Sequence, residues 1–156
     1  MTALPVRVAD GNDAEALVRL INHAFRAERP FVEGDRIDLA EVRARLVKGQ
    51  FLLIHEDEAL IGCVHVETHR DRGHIGLLGI EPAHQKIGFG KHLMRAAEDH
   101  LREAGCKVAD LRFINHRAEL LRFYLQLGYA ESGTEAFPFT HRMKMPFHFI
   151  EMKKQL

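Results

Sequence analysis

The order of apolar patterns along the chain predicts a mixed α/β domain, a mostly antiparallel sheet with helices on both faces. Three observations point there. Two helical stripes open the chain, a meander of short strands follows, and the second half alternates strand, helix, strand, helix, strand. At 156 residues and 46% hydrophobic content, the chain fits one domain, residues 1–156, with a real core and little room for another.

The elements follow in order. Val6 and Val8 alternate with Arg7 as a short first strand, and Asn12 with Glu15 reads as a capping box for a helix that buries Leu17, Leu20, Ile21 and Ala24. The charged segment Arg26 to Arg36 contains Pro30 and Gly34, which argue against continuing helix. Asp38 and Glu41 then cap a second helix through Leu39, Val42 and Leu46, stopped at Gly49. Phe51 to Ile54 reads as a buried strand, Glu56-Asp57-Glu58 as a hairpin turn and Leu60 to Glu67 as the partner strand. Thr68 to Gly73 turns the chain into a strand at Ile75 to Ile80. Leu93, Met94, Ala97, Leu101 and Ala104 recur at helical steps before the stop at Gly105. Val108 to Ile114 is a further strand, Arg117 to Leu127 a helix, and the chain is extended again from Tyr129. Phe147 to Met152 alternates as a last edge strand.

Composition narrows the function. Lys plus Arg equals Asp plus Glu at 22 each, so no broad nucleic-acid footprint is expected. Cys63 and Cys106 lack Cys-x-x-Cys spacing and read as buried thiols in a reducing compartment. The histidines are scattered, and none forms a recognisable metal pair, so no metal is expected. No apolar run has the length of a membrane span, and Met1 to Pro5 lacks the regions of a signal peptide; the expected location is cytoplasmic.

The most informative stretch is Ile75 to Gly90: an apolar strand, the break Glu81-Pro82-Ala83-His84, then Gln85-Lys86-Ile87-Gly88-Phe89-Gly90 opening a helix. Two glycines at a helix start let several main-chain N–H groups converge on one anion, with the positive end of the helix dipole behind them. A nucleoside-triphosphate loop would need glycine at Gln85 and Ser or Thr at His92, and a dinucleotide fingerprint would need glycine at Leu93. Neither fits.

Gln-x-x-Gly-x-Gly after a strand ending in Ile80-Glu81-Pro82 resembles the coenzyme A loop of the GNAT superfamily of acetyl-CoA-dependent N-acetyltransferases. Downstream, Phe123-Tyr124-Leu125-Gln126-Leu127-Gly128-Tyr129 resembles the helix end Phe-Tyr-x-x-Leu-Gly-Phe/Tyr of the same superfamily. The resemblance covers Gly73 to Gly133 firmly. It implies splayed central strands with acetyl-CoA in the cleft between them. Main-chain amides from Gly88, Phe89, Gly90 and Lys91 would hold the pyrophosphate. Gln85 belongs to the loop motif, Lys86 and Lys91 would screen phosphate charge, and Leu78 and Ile80 would bind the pantetheine arm and thioester carbonyl. Tyr124 would assist the departing sulfur. Taken alone, the glycines also suit a plain tight turn, and Tyr124 suits a core aromatic.

The resemblance departs at two positions. The central-strand position where many members carry an acid is Leu77 here, so the base is open: Glu67 first, then His65 or His74, each equally readable as a polar strand end. Asn115 stands nine residues before Tyr124 rather than seven and is left out of the site. The implied activity is direct acetyl transfer to a primary amine of a small molecule or peptide. The alternatives are a non-catalytic acyl-CoA-binding or sensing domain, to which Leu77 gives weight, and a structural dimerisation module; a homodimer stays open. Arg26 to Arg36 and Glu135 to His141 are the expected walls of the acceptor pocket. No nucleic acid or membrane partner is expected.

Overall fold

The computed structural model describes residues 4–156, and Met1 to Ala3, part of the stretch read above for a signal peptide, lie outside them. The elements are β1 (Val6–Val8), α1 (Ala14–Ala24), α2 (Leu39–Lys48), β2 (Gln50–Glu56), β3 (Ala59–His69), β4 (Arg72–Ile80), α3 (Phe89–Glu103), β5 (Val108–Ile114), α4 (Ala118–Gln126), β6 (Ala130–Ala136) and β7 (His148–Gln155). One seven-stranded sheet runs β1-β2-β3-β4-β5-β7-β6, parallel only at β4–β5.

Period-two alternation separates the two faces of the sheet. Leu52, Ile54, Val64 and Val66 pack with Leu93, Met94, Ala97 and Leu101 of α3. On the opposite face Phe51, Leu53, Cys63 and Leu77 pack against Leu17, Leu20 and Ile21 of α1 and Val42 of α2. The mixed, mostly antiparallel sheet with helices on both faces is the expected fold.

Two local expectations are corrected. The capping box lies two residues earlier than Asn12 and Glu15: Asp10 accepts from the Asn12 amide, and Asp13 accepts from the Asp10 amide, around a short 3-10 turn that feeds α1. Aspartates satisfy those orphan amides as well as Asn and Glu would. Asp38 does cap α2, accepting from the Glu41 amide at 2.8 Å. The second correction concerns β7, which is not an edge strand but lies between β5 and β6. Its Met152 is fully buried, whereas β6, containing Glu131, Ser132, Thr134 and Glu135, is exposed throughout and is the polar edge.

Two features of β4 shape the centre of the sheet. Cys63 pairs with Gly79 and His65 with Gly76, so Leu77 and Leu78 together oppose Val64 in a β-bulge, and Leu77 takes φ +49°. The parallel β4–β5 ladder spans only Arg72↔Val108, Gly73↔Ala109 and His74↔Asp110. Beyond it the strands part. Asp110 braces the last pair, with His74 Nδ1 at 2.6 Å and Arg72 Nε at 3.0 Å. Burial works against its ionisation, but the His74 hydrogen bond and the charges of His74 and Arg72 prevail and lower its pKa.

Candidate functional site

A cleft of about 780 Å³ opens where β4 and β5 part, lined by Ile75 to Leu78 and Ile80 on one side and Leu111 to Ile114 on the other. That size suits a small-molecule site.

At one end stands the glycine turn. Gly88 caps α3 at φ +96°, a left-handed conformation that a side chain would strain, and a Cβ there would meet no atom within 4 Å. The first amide of α3 with a helical acceptor is that of His92, bonded to the Gly88 carbonyl at 3.0 Å; those of Phe89, Gly90 and Lys91 have no acceptor among the described residues. Gly90 lets the turn approach α4, since a Cβ would lie 3.4 Å from the Phe123 ring. Gln85 donates its side-chain N–H to the Ile80 carbonyl at 3.0 Å and so ties the turn to the end of β4. Lys86 and Lys91 line the cleft with no carboxylate in ion-pair range among the described residues. His84 also lines it, with Nε2 on Glu56 and a buried Nδ1 that has no partner. Phe89 turns its ring into the core, so it can meet a ligand only through its main chain. Unspent amides, free lysines and open space above Gly88 fit a phosphate-bearing group.

In the middle, Tyr124 reaches the cleft from α4, wedged between Phe113 and Phe123 at ring-centre distances of 5.6 and 5.1 Å. Gly128, at φ +97°, ends α4 by sending the Tyr129 amide back to the Tyr124 carbonyl, which fixes where the ring projects. The Tyr124 hydroxyl has no hydrogen-bond partner among the described residues. Burial drives its pKa well above the ordinary phenol value; the Arg117 charge pulls it back and the Glu28 charge pushes it further up. Behind it Tyr129 donates to buried Glu98 of α3 at 2.8 Å, and Lys154 of β7 reaches the same carboxylate at 2.9 Å.

The other end is walled by the two segments expected to form the acceptor pocket. Val32 bridges Met143, and the Lys144 amide donates to the Phe31 carbonyl at 2.9 Å, so the 31–36 loop faces Phe137, Pro138 and Phe139 across the cleft. Glu28 and Arg117 form a salt bridge there at 3.1 Å, both mostly buried. Burial raises the Glu28 pKa against the pull of Arg117 and Arg36.

The expected site residues therefore divide. Leu78, Ile80, Gln85, Lys86, Gly88, Gly90, Lys91 and Tyr124 share one cleft. Glu67, ranked first as base, does not line it: alternation along β3 sends its side chain towards Gly49, beyond the end of α2, where it meets His69 Nε2 at 3.2 Å. His65 is spent on the Arg45 carbonyl at 2.8 Å and on the Phe51 ring, and His74 on Asp110. Asn115 accepts from the His148 amide and closes the β5–β7 ladder. Glu28 escaped the sequence reading because its partner lies 89 positions away. The bulge does carry a sequence signal, since Gly76 and Gly79 flank Leu77 and Leu78 and glycines inside a strand often mark a bulge; within an apolar run the same residues read as plain strand.

A sheet split at its one parallel pair, with a glycine-capped helix start lining the split, defines the protein as an α/β domain with an open cleft between its central strands. The model of the acetyltransferase (GNAT) family matches residues 14–129, and the chain belongs to that family. Among solved structures, the ribosomal-protein-S18-alanine N-acetyltransferase of Escherichia coli superposes with a TM-score of 0.78 at 14% identity, over 98% of this chain and 94% of that one. The PaiA N-acetyltransferase of Thermoplasma acidophilum, solved in complex with coenzyme A, gives 0.77 at 15% identity, over 99% and 100%. These likenesses concern the fold. The mycothiol acetyltransferases of Propionibacterium freudenreichii subsp. shermanii and Thermomonospora curvata are 29% and 30% identical, each over 80% of this chain but only 42% and 43% of their own length. The chain thus spans less than half the length of these curated relatives. Among the described residues no helix is long and apolar enough to cross a membrane, and no group of three or more His, Cys, Asp or Glu is arranged to hold a metal.

Proposed function

We propose that this chain is an acetyl-CoA-dependent N-acetyltransferase acting on a primary amine. The observation that carries the reading is that the unspent amides of the glycine turn and the unpartnered Tyr124 hydroxyl open into one cleft. Acetyl-CoA supplies an activated acyl group as a thioester.

The chain's own residues then have separate tasks. Main-chain N–H groups of Gly88 to Lys91 bind pyrophosphate, assisted by the charges of Lys86 and Lys91. Gln85 holds that turn against β4. Leu78 and Ile80 offer main-chain groups to the pantetheine arm, and the bulge at Leu77 and Leu78 takes N–H groups out of the ladder, leaving them for the oxygen that gains charge as the amine attacks. Glu28, rather than Glu67, accepts the amine proton, because it lies in the cleft and its raised pKa makes it a stronger base than an exposed glutamate. Tyr124 donates a hydrogen bond to the leaving sulfur as the new C–N bond replaces C–S. A phenol near ~10 already sits above a thiol near ~8.5, so full proton transfer is uphill by roughly 2 kcal/mol, and burial makes it steeper. Tyr124 therefore keeps its proton and stabilises the thiolate.

Steady release of free thiol from acetyl-CoA with a panel of amines tests the reading. Coenzyme binding without release would favour the sensing-domain alternative, whose ground was Leu77; a cleft carboxylate at Glu28 weakens that ground.

A further inference from the structure

We propose that the acceptor amine also carries a carboxylate, and that Arg36 is the residue that receives it. This rests on the acetyl-transfer reading of the same cleft. Beyond the coenzyme end the cleft is lined by Arg29, Arg36, Arg45, Arg112, Arg117 and Arg142. Five of the six are engaged. Arg117 holds Glu28 and Glu119, Arg112 holds Glu135 at 2.6 Å, Arg45 approaches Glu41 at 3.5 Å and Arg29 approaches Asp35 at 3.9 Å. Arg142 donates to the carbonyls of Glu33 and Asp35.

Arg36 alone among them has no carboxylate or carbonyl partner among the described residues. Its guanidinium lies over the Phe25 ring, 5.4 Å from the centroid, and leaves its planar fork of N–H donors unspent. Phe25 in turn stands 3.9 Å from where a Gly79 Cβ would be, so this stack is beside the end of β4 rather than on the outer surface. Burial lowers the Arg36 pKa despite the attraction of Glu28 and Glu41, as for a guanidinium taken out of water with no hydrogen-bonded carboxylate of its own.

The loop carrying Arg36 is fixed on both sides. The Ile37 amide donates to Asn22 Oδ1 and the Asn22 side chain returns a bond to the Ile37 carbonyl, each at 2.9 Å, while Arg142 clamps the carbonyls of Glu33 and Asp35, three positions and one position before Arg36. Such a guanidinium is pre-organised, and a ligand carboxylate accepting from it fills the N–H donors that no residue of the described chain takes up. Glu28 and Arg36 line the same cleft, so the same molecule can present its amine to Glu28 and its acid to Arg36. The acceptor is accordingly a small aminocarboxylate of the amino-acid type.

Amino acids paired with their own carboxamides test this. Affinity is measured by calorimetry on protein saturated with free coenzyme A, and kcat/KM by thiol release. The acids are expected to exceed the amides by roughly ten- to a hundred-fold, the worth of one charge-assisted contact. In Arg36→Gln that ratio should collapse towards one, and Arg36→Lys should restore part of it. A merely structural arginine would lower both members of each pair together and keep their ratio; that result, or a ratio near one in the native protein, overturns the assignment while acetyl transfer stands. Coenzyme binding with no amine acetylated at all overturns the transfer reading and this inference with it.

Discussion

The two ends of the cleft are built from different materials. The coenzyme end is made of main chain: a left-handed glycine, a helix start with unspent amides, and a strand end held by Gln85. The acceptor end is made of side chains, arginines and acids drawn from the loop after α1, the start of α4 and the segment before β7. Under the proposed reading, main chain meets what every acyl-CoA shares, and side chains choose what differs. Substitutions should therefore act separately at the two ends.

The largest effect is expected at the main-chain end. Gly88→Val forces a β-branched residue into φ +96° and fills the open space above the turn. Loss of two charge-assisted hydrogen bonds at about 2 kcal/mol each corresponds to about a thousand-fold weaker acetyl-CoA binding by calorimetry, with the circular dichroism of the fold retained. Native affinity in that variant would remove the anion site from the account.

Tyr124→Phe should lower kcat by roughly a hundred-fold while coenzyme affinity stays within about two-fold. Equal losses in both would make the ring a packing element.

Glu28→Gln should lower kcat by about ten-fold or more. The pH profile sharpens this. The working form is the carboxylate, and burial raises its pKa, so activity of the native protein should fall as pH drops through a value above the ordinary glutamate range. In the glutamine variant that acid limb should vanish, and an unchanged limb would acquit Glu28.

Asp110→Asn tests the brace at the split rather than either end. Because the Asp110 pKa is lowered in the folded state, its contribution is present above the usual aspartate value of 3.8 and is lost as pH falls below it. The carboxylate is about a quarter exposed, so about 1 kcal/mol is expected at neutral pH, with the variant and native protein converging in acid denaturation. Glu67→Gln should change kcat by less than about three-fold, since its side chain lies outside the cleft. A large loss there would return the base to β3.

The same division governs what could be read in advance. Element order followed from periodicity, and the coenzyme end from a contiguous motif, because a main-chain site is written in consecutive residues. Tyr124 was legible for the same reason, through the helix end that positions it. The acceptor end was legible only as two charged or aromatic stretches; Glu28 with Arg117 and Arg36 on Phe25 are settled by tertiary packing. Glu67 falls outside the cleft lining, which alternation could not foretell: it identifies which residues share a face of β3 but not how far along that face the cleft extends. β7 misled because an alternating terminal strand looks alike whether it pairs on one side or on two.

The three-pair seam between β4 and β5 has a mechanical corollary. Four strands lie on one side of it and three on the other, and beyond the seam the halves are tied across the gap by the Val32–Met143 bridge and the Glu28–Arg117 ion pair rather than by a continued β4–β5 ladder. The sheet is thus a pair of leaves sharing a short spine at His74 and Asp110, with a loop clasp at Val32 and Met143 on the far side of the cleft. A long ligand threaded between the leaves would stitch them together, and amide exchange along Leu111 to Ile114 should slow when it does.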